Sequence, residues 1–308
     1  MDPLNQVISK IQDIVAIKES IDYTKYQQIK TAPPQGKILF IDGGNNEIFK
    51  AANFAVYLVR VYYCIYHHNK RINKEKKEFY LLLQQKGSIK AEIFPISYKF
   101  DELTINPNSA DLKTGQKSAD LSTIANIIMK CAEIKVAKEA LGHLEKGDAV
   151  VRDGDLEVNN SYEEGYMNEL FHSAYQKGMK VYGLAKTSEL LTKNSDSFSA
   201  ILSKNQPFPV WSYSVNEKTF FVKLHKSSKY VFKYQANQGD LEILPSLKDN
   251  STDPVFLGYP YGLIEADRFA RVTNQETEIA KIKFLTKTKN KLDIYQNALN
   301  AHSILDSI

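Results

Sequence analysis

Residues 37–44 read KILFIDGG, and residues 149–155 read AVVRDGD. Each is a short apolar run of the kind that forms a buried strand, followed by an aspartate and then a glycine. Such strands alternate here with helical stretches, and that alternation predicts an α/β fold with a mixed, partly parallel sheet flanked by helices. If the two strands are neighbours, Asp42 and Asp153 project from the same edge of the sheet. Carboxylates placed together can share a divalent cation, which prefers hard oxygen ligands. Gly43 and Gly154 would let a metal or a phosphate approach the backbone. Taken singly, an Asp-Gly pair is an ordinary turn. Its repetition after two matching strands carries the reading.

Working outward, Leu4, Ile8, Ile11, Val15 and Ile21 recur near helical spacing, so an amphipathic helix is expected over Leu4 to Ile29, ahead of the break Pro33-Pro34-Gln35-Gly36. Residues 1–36 then form a helical appendage and linker, and 37–308 the main domain. Glu47 to His67 is rich enough in Val, Ile, Tyr and Phe for one or two further strands. The basic run KRINKEKK at 70–77 separates them from strand candidates at Phe79–Gln84 and Ile89–Tyr98. Residues 101–120 are polar and predict a long loop, followed by a helix from about Leu121 to Leu144. Ser161–Lys177 should be helical and Lys180–Leu184 a strand. Runs such as PVWSYSV, TFFVKLH, KYVFKYQ and DLEILP predict a small antiparallel insertion at about 207–245, with apolar strand edges that favour self-association, and residues 260–308 return to helix.

A chain of 308 residues with 43% hydrophobic and 25% charged residues can bury a full core. Its net charge of +4 permits a nucleic-acid partner. Cys64 and Cys131, in apolar segments, suggest buried reduced thiols. The N-terminal MDPLNQVISKIQDIV lacks a basic signal region, and no stretch reaches the length of a membrane span, so a cytoplasmic protein with no membrane partner is expected. The six histidines show no metal-binding spacing, and His67-His68 should point to opposite faces of a strand, which argues against a zinc hydrolase.

A third oxygen ligand should come from the helix over 121–144, where Glu133 and Glu139 compete. Glu139 follows Lys135 by four residues and reads as a solvated ion-pair partner. Glu133 lies on a stripe with Met129, Val136 and Ala137, and a desolvated carboxylate needs a cation or a proton. A plain surface glutamate over a groove is the alternative.

The segments IDGG (41–44), AEIKVAKEAL (132–141), VVRDGDL (150–156), VYGLAKTS (181–188) and GYPYGLIEADRFARV (258–272) fall in the order seen in the NurA nucleases, and the chain resembles that family over nearly its whole length. The resemblance implies an RNase H-like fold, manganese-dependent nuclease activity with magnesium as the other candidate ion, a homodimer, and partnership with a HerA-type hexameric translocase in archaeal DNA end resection. It implies that Asp42, Glu133, Asp153 and Asp267 hold the metal, that Tyr259 is the tyrosine of the family's YP motif, and that Lys186 is the basic residue near the phosphates. The chain departs from the pattern at Gly44, where serine or threonine is usual, and at Asp155, where the motif reads DGD instead of DGS. Asp155 either joins the site or faces solvent.

Tyr259-Pro260 suits a helix start, because proline fits the first helical turn. Asp267 then neighbours Leu263, Ile264 and Ala270 and should be at least half-buried, unless it simply pairs with Arg271 four residues on. The expected chemistry is hydrolysis of a phosphodiester by a pair of ions ~4 Å apart. DNA ends and single strands would be met by KRINKEKK and by Lys223, Lys226, Lys229 and Lys233, interleaved with Phe220, Phe221, Tyr230 and Phe232. The competing readings are a non-catalytic DNA-binding or regulatory subunit of a translocase, and an RNase H-like ribonuclease.

Overall fold

The computed structural model describes residues 2–15, 21–33, 36–113, 115, 117–158, 160–186, 190–192, 195–289, 291–292 and 295. Its helices are α1 (Pro3–Val15), α2 (Leu121–Ala140), α3 (Ser161–Gln176), α4 (Phe198–Lys204), α5 (Leu244–Asp249), α6 (Tyr261–Ala270) and α7 (Asn274–Lys287). The strands are β1 (Tyr26–Gln28), β2 (Lys37–Lys50), β3 (Phe54–His67), β4 (Lys70–Lys86), β5 (Ser88–Pro95), β6 (Leu103–Ile105), β7 (Ala149–Asp153), β8 (Lys180–Ala185), β9 (Trp211–Ser214), β10 (Thr219–Lys223) and β11 (Phe232–Ala236). All lie in one sheet, in the order β1-β9-β10-β11-β8-β7-β2-β3-β4-β5-β6. Among the described residues, only β2-β7 and β7-β8 pair in parallel. Among the described residues no helix is long and apolar enough to cross a membrane.

The mixed sheet flanked by helices matches the sequence reading, but several local expectations do not hold. The helix predicted over Leu4–Ile29 spans only Pro3–Val15; residues 16–20 of that prediction lie outside the described residues, and Tyr26–Gln28 is strand β1. Tyr26 is drawn into the sheet by an aromatic cluster with Trp211 and Tyr213, and its hydroxyl donates to the Leu202 carbonyl at 3.0 Å. KRINKEKK is no separator. It is the first half of β4, in a hairpin with β3, and several of its charges are held by partners: the Tyr63 hydroxyl donates to Glu75 at 2.7 Å, Lys76 pairs with Glu78 at 2.9 Å, and Arg71 pairs with Glu265 at 2.7 Å. His68 lies in the left-handed turn of this hairpin, so its ring packs edge-on against His67 at 4.0 Å between centroids, not on the opposite face.

The loop expected over 101–120 contains strand β6, and DLEILP leads into α5 with a proline in its first turn, not into a strand. Strands β9 to β11 are antiparallel, and they continue the main sheet through the β11–β8 pairing. Their edges are therefore covered, and the sheet ends on the short strands β1 and β6. Helix α1 keeps its apolar stripe in the open, with Leu4 63% and Ile14 73% exposed.

Two cores sandwich the sheet, and strand parity sorts residues between them. Leu39, Ile41 and Val150 face the core under α2 and α3, whereas Ile38, Phe40, Ala149 and Val151 face the core under α5 and α6. Helix α6 lies close on β2 because residue 262 is glycine: a Cβ there would fall 2.0 Å from the Phe40 ring. Gly262→Ala should therefore cost about 1–3 kcal/mol through overpacking, read as a lower urea midpoint; an unchanged midpoint would refute that contact.

Candidate active site

Parallel pairing of β2 with β7 ends at Ile41↔Arg152, so Asp42 and Asp153 stand where the two strands part. This is the carboxyl edge of the parallel strands, where α/β sheets open a crevice. By parity both side chains fall on the α6 face, and there they meet Asp267 from α6. One carboxylate oxygen from each of Asp42, Asp153 and Asp267 lies within 4.8 Å of the others. Asp42 is not at the end of a strand, as expected from the sequence; β2 runs on to Lys50, paired with β3.

The glycines explain how that is possible. A Cβ on Gly43 would meet the Met129 sulfur at 2.5 Å, and one on Gly44 the Ala270 carbonyl oxygen at 2.5 Å. Gly43 and Gly44 thus allow α2 and α6 to close on the two faces of β2, which is a packing role and not the approach of a phosphate. Gly154 has φ 115°, which favours glycine, and it turns the chain out of the sheet after Asp153.

Lys186, just past β8, places its Nζ 2.6 Å from Asp153 Oδ2 and 2.6 Å from Asp267 Oδ1. The Tyr259 hydroxyl donates to Asp153 Oδ1 at 2.9 Å, with the Lys186 ammonium 5.4 Å from the centre of the same ring. Asp267 also accepts from Arg271 at 3.0 Å, so the pairing weighed as an alternative coexists with the site instead of replacing it. Asp267 is 31% exposed at its side chain, in line with partial burial.

Glu133 is buried on α2, the other face of the sheet. Its Oε1 accepts from Arg152 Nε at 2.9 Å, and a side chain at Gly43 would come within 3.1 Å of its Oε2. The cation that a desolvated carboxylate requires is therefore supplied by Arg152, which the sequence reading missed. The signal was present, since a lone arginine inside the apolar strand AVVRD must find a counter-charge. Arg152 also donates to the Asp155 carbonyl at 3.0 Å, bracing the turn after Asp153. Asp155 itself is exposed and pairs with Lys233 at 3.3 Å, away from the cluster. Glu139 is not the partner of Lys135; it accepts from the Tyr98 hydroxyl at 2.9 Å, and Lys135 pairs with Asp101 at 2.6 Å.

Electrostatics mark the cluster as short of positive charge. Burial first, then Glu133 and Asp153, push the Asp42 carboxyl up to about 9, with Lys186 pulling the other way. Burial also raises Asp153, against Lys186 and Tyr259, and raises Glu133 against Arg152. Asp153 Oδ2 is buried, with the Lys186 ammonium 2.6 Å away. Three crowded carboxylates, two of them raised by burial, fit a hard divalent cation.

The nucleic-acid interface predicted from interleaved lysines and aromatics is largely absent as drawn. Phe220, Phe221 and Phe232 are buried in the cores, because these strands are covered on both faces. Lys223 is buried and donates to Gln206 at 2.8 Å, and Lys233 is held by Asp155 and Glu157. Tyr230, Lys226 and Lys229 stay exposed. Cys64 and Cys131 are buried free thiols, as expected.

No family model and no curated protein matches the sequence. Solved structures do. The NurA nuclease from Sulfolobus solfataricus superimposes with a TM-score of 0.58 at 13% identity, over 94% of this chain and 95% of that one. Ciona intestinalis Endonuclease V, in complex with an inosine-containing DNA, gives a TM-score of 0.42 at 11% identity, over 92% of this chain and 100% of that one. The chain has a NurA-like fold.

Proposed function

We propose that this chain is a metal-dependent DNA nuclease, and the observation that carries the reading is the convergence of Asp42, Asp153 and Asp267 from β2, β7 and α6 on one point at the sheet's carboxyl edge. Asp42, Asp153 and Asp267 would hold a divalent ion, manganese or magnesium, and Glu133 Oε2 is the carboxylate oxygen left for a second. Bound there, the ions would supply Lewis acidity to an attacking water and to the leaving 3′-oxygen. The residues of the chain do the rest. Tyr259 fixes the Asp153 carboxylate through Oδ1. Burial raises the Tyr259 hydroxyl well above its ordinary value, so it stays a hydrogen-bond donor. Lys186 brings its ammonium to the same carboxylates, where it offsets the negative charge of a phosphate.

The finer reading follows the resemblance in sequence: a 5′ to 3′ exonuclease and single-strand endonuclease, acting as a homodimer in double-strand-break end resection with a HerA-type translocase. The exposed apolar stripe of α1 is the surface offered for such contacts. Coupling to a motor suits a protein of only +4 net charge, since a threaded duplex is delivered at high effective concentration.

Matched DNA, RNA and hybrid oligonucleotides incubated with manganese, with magnesium and with chelator test this reading. DNA should be cut only when a divalent ion is present. Cleavage in chelator, or of RNA alone, would overturn the reading as a metal-dependent deoxyribonuclease.

A further inference from the structure

Linked to the acidic cluster through aromatic contacts, the loop joining β10 to β11 (residues 224–231, LHKSSKYV) carries a combination that the catalytic reading does not use. Tyr230 is 57% exposed, and Lys226 and Lys229 are exposed without an ion-pair partner among the described residues. The other lysines of this stretch, Lys223 and Lys233, are already committed to Gln206 and to Asp155 and Glu157.

The ring of Tyr230 is backed by a file of aromatic contacts that leads into the site. It stands edge-on to Phe256 with centroids 5.2 Å apart, and Phe256 stacks on Tyr259 at 5.2 Å. Tyr259 in turn donates to Asp153 at 2.9 Å. Within the loop, the Tyr230 amide donates to Ser228 Oγ at 3.1 Å. Ser228 is itself buried against Gly258, where a Cβ would fall 2.5 Å from its Oγ. An exposed tyrosine alone is ordinary. An exposed ring on a rigid aromatic backing, two ring contacts from the acids and flanked by free ammonium groups, is a different object.

We propose that this loop is a single-strand subsite, in which a nucleobase of the strand leading to or from the acidic cluster stacks on Tyr230 while Lys226 and Lys229 contact its phosphates. The chemistry selects this occupant. Free lysines favour a polyanion over an apolar peptide. A duplex already stacks its bases on one another and presents no free face to the ring, whereas an unpaired strand does. The proposal rests on the nuclease reading above, and it assigns the place where an unpaired end is gripped.

Fluorescence anisotropy with a labelled oligo-dT and with a blunt duplex, in chelator so that nothing is cut, separates the two. Tyr230→Ala should weaken single-strand binding about 5- to 150-fold, the range for loss of one stacking partner, and Tyr230→Phe should retain it. Duplex affinity should change much less. Lys226→Ala and Lys229→Ala should each lower the slope of log affinity against log salt by about 0.7. Equal oligo-dT binding by wild type and Tyr230→Ala would overturn the subsite, as would loss of duplex and single-strand affinity in equal measure. If wild type cuts DNA in a parallel assay with manganese, such a result leaves the nuclease reading standing. If wild type neither binds nor cuts any oligonucleotide, both fall.

Discussion

Asp42→Asn should lose metal-dependent cleavage by about 1000-fold or more, because the amide cannot hold a divalent ion at the charge the reaction needs. The same substitution should raise the melting temperature of the metal-free protein. Asp42 sits among Glu133, Asp153 and Asp267 with its carboxyl pushed up to about 9. The folded state thus holds a proton that the unfolded chain releases above about pH 4. Between those values the folded state binds more protons than the unfolded one, so this group's contribution to stability falls as pH rises from about 4 to about 9. Asn carries no such penalty. In chelator, wild type should lose melting temperature across that window and Asp42→Asn should lose less. A variant that is both inactive and destabilised at pH 8 would contradict this account of the site.

The second large effect concerns the pair beneath the site. Arg152→Met should destabilise the fold by about 3–5 kcal/mol, because it strands Glu133 as a buried charge without a partner. The double variant Arg152→Met/Glu133→Leu should recover most of that loss, since apolar replacements of a buried pair are often neutral. Stability and activity then separate: on the proposed role of Glu133 as a ligand of the second ion, the double variant should fold and still fail to cut DNA. Urea denaturation gives the first quantity and a nicking assay the second. Full cleavage by the folded double variant would reduce Glu133 to a counter-ion of Arg152.

How much of this was legible in the sequence follows from what each pattern encodes. The two strand-then-Asp-Gly segments mark where parallel pairing ends, because parallel strands buried on both faces are continuous apolar runs that a carboxylate interrupts, although β2 itself runs on past Asp42 against β3. Asp42 and Asp153 were readable for that reason, and so was Asp267, as an acid on the inner side of an amphipathic helix. The partners of these acids were not. Arg152 reaches Glu133 from the next strand after α2, across two different elements, and no spacing rule reports such a contact. Phe220, Phe221 and Phe232 were misassigned to a surface because a strand covered on both faces has no polar side to betray its orientation. KRINKEKK misled for the opposite reason. Its charges look like a solvated linker, but partners such as Tyr63 for Glu75 and Glu265 for Arg71 hold them within the fold.

The measurement that bears most directly on the acidic cluster is a manganese titration of the purified protein followed by calorimetry or by the paramagnetic signal of the free ion. Wild type should bind manganese, Asp153→Asn should lose most of that affinity, and Asp155→Asn, altered only at the exposed partner of Lys233, should keep it. Manganese binding by Asp153→Asn equal to that of wild type would contradict the assignment of the ion to Asp42, Asp153 and Asp267.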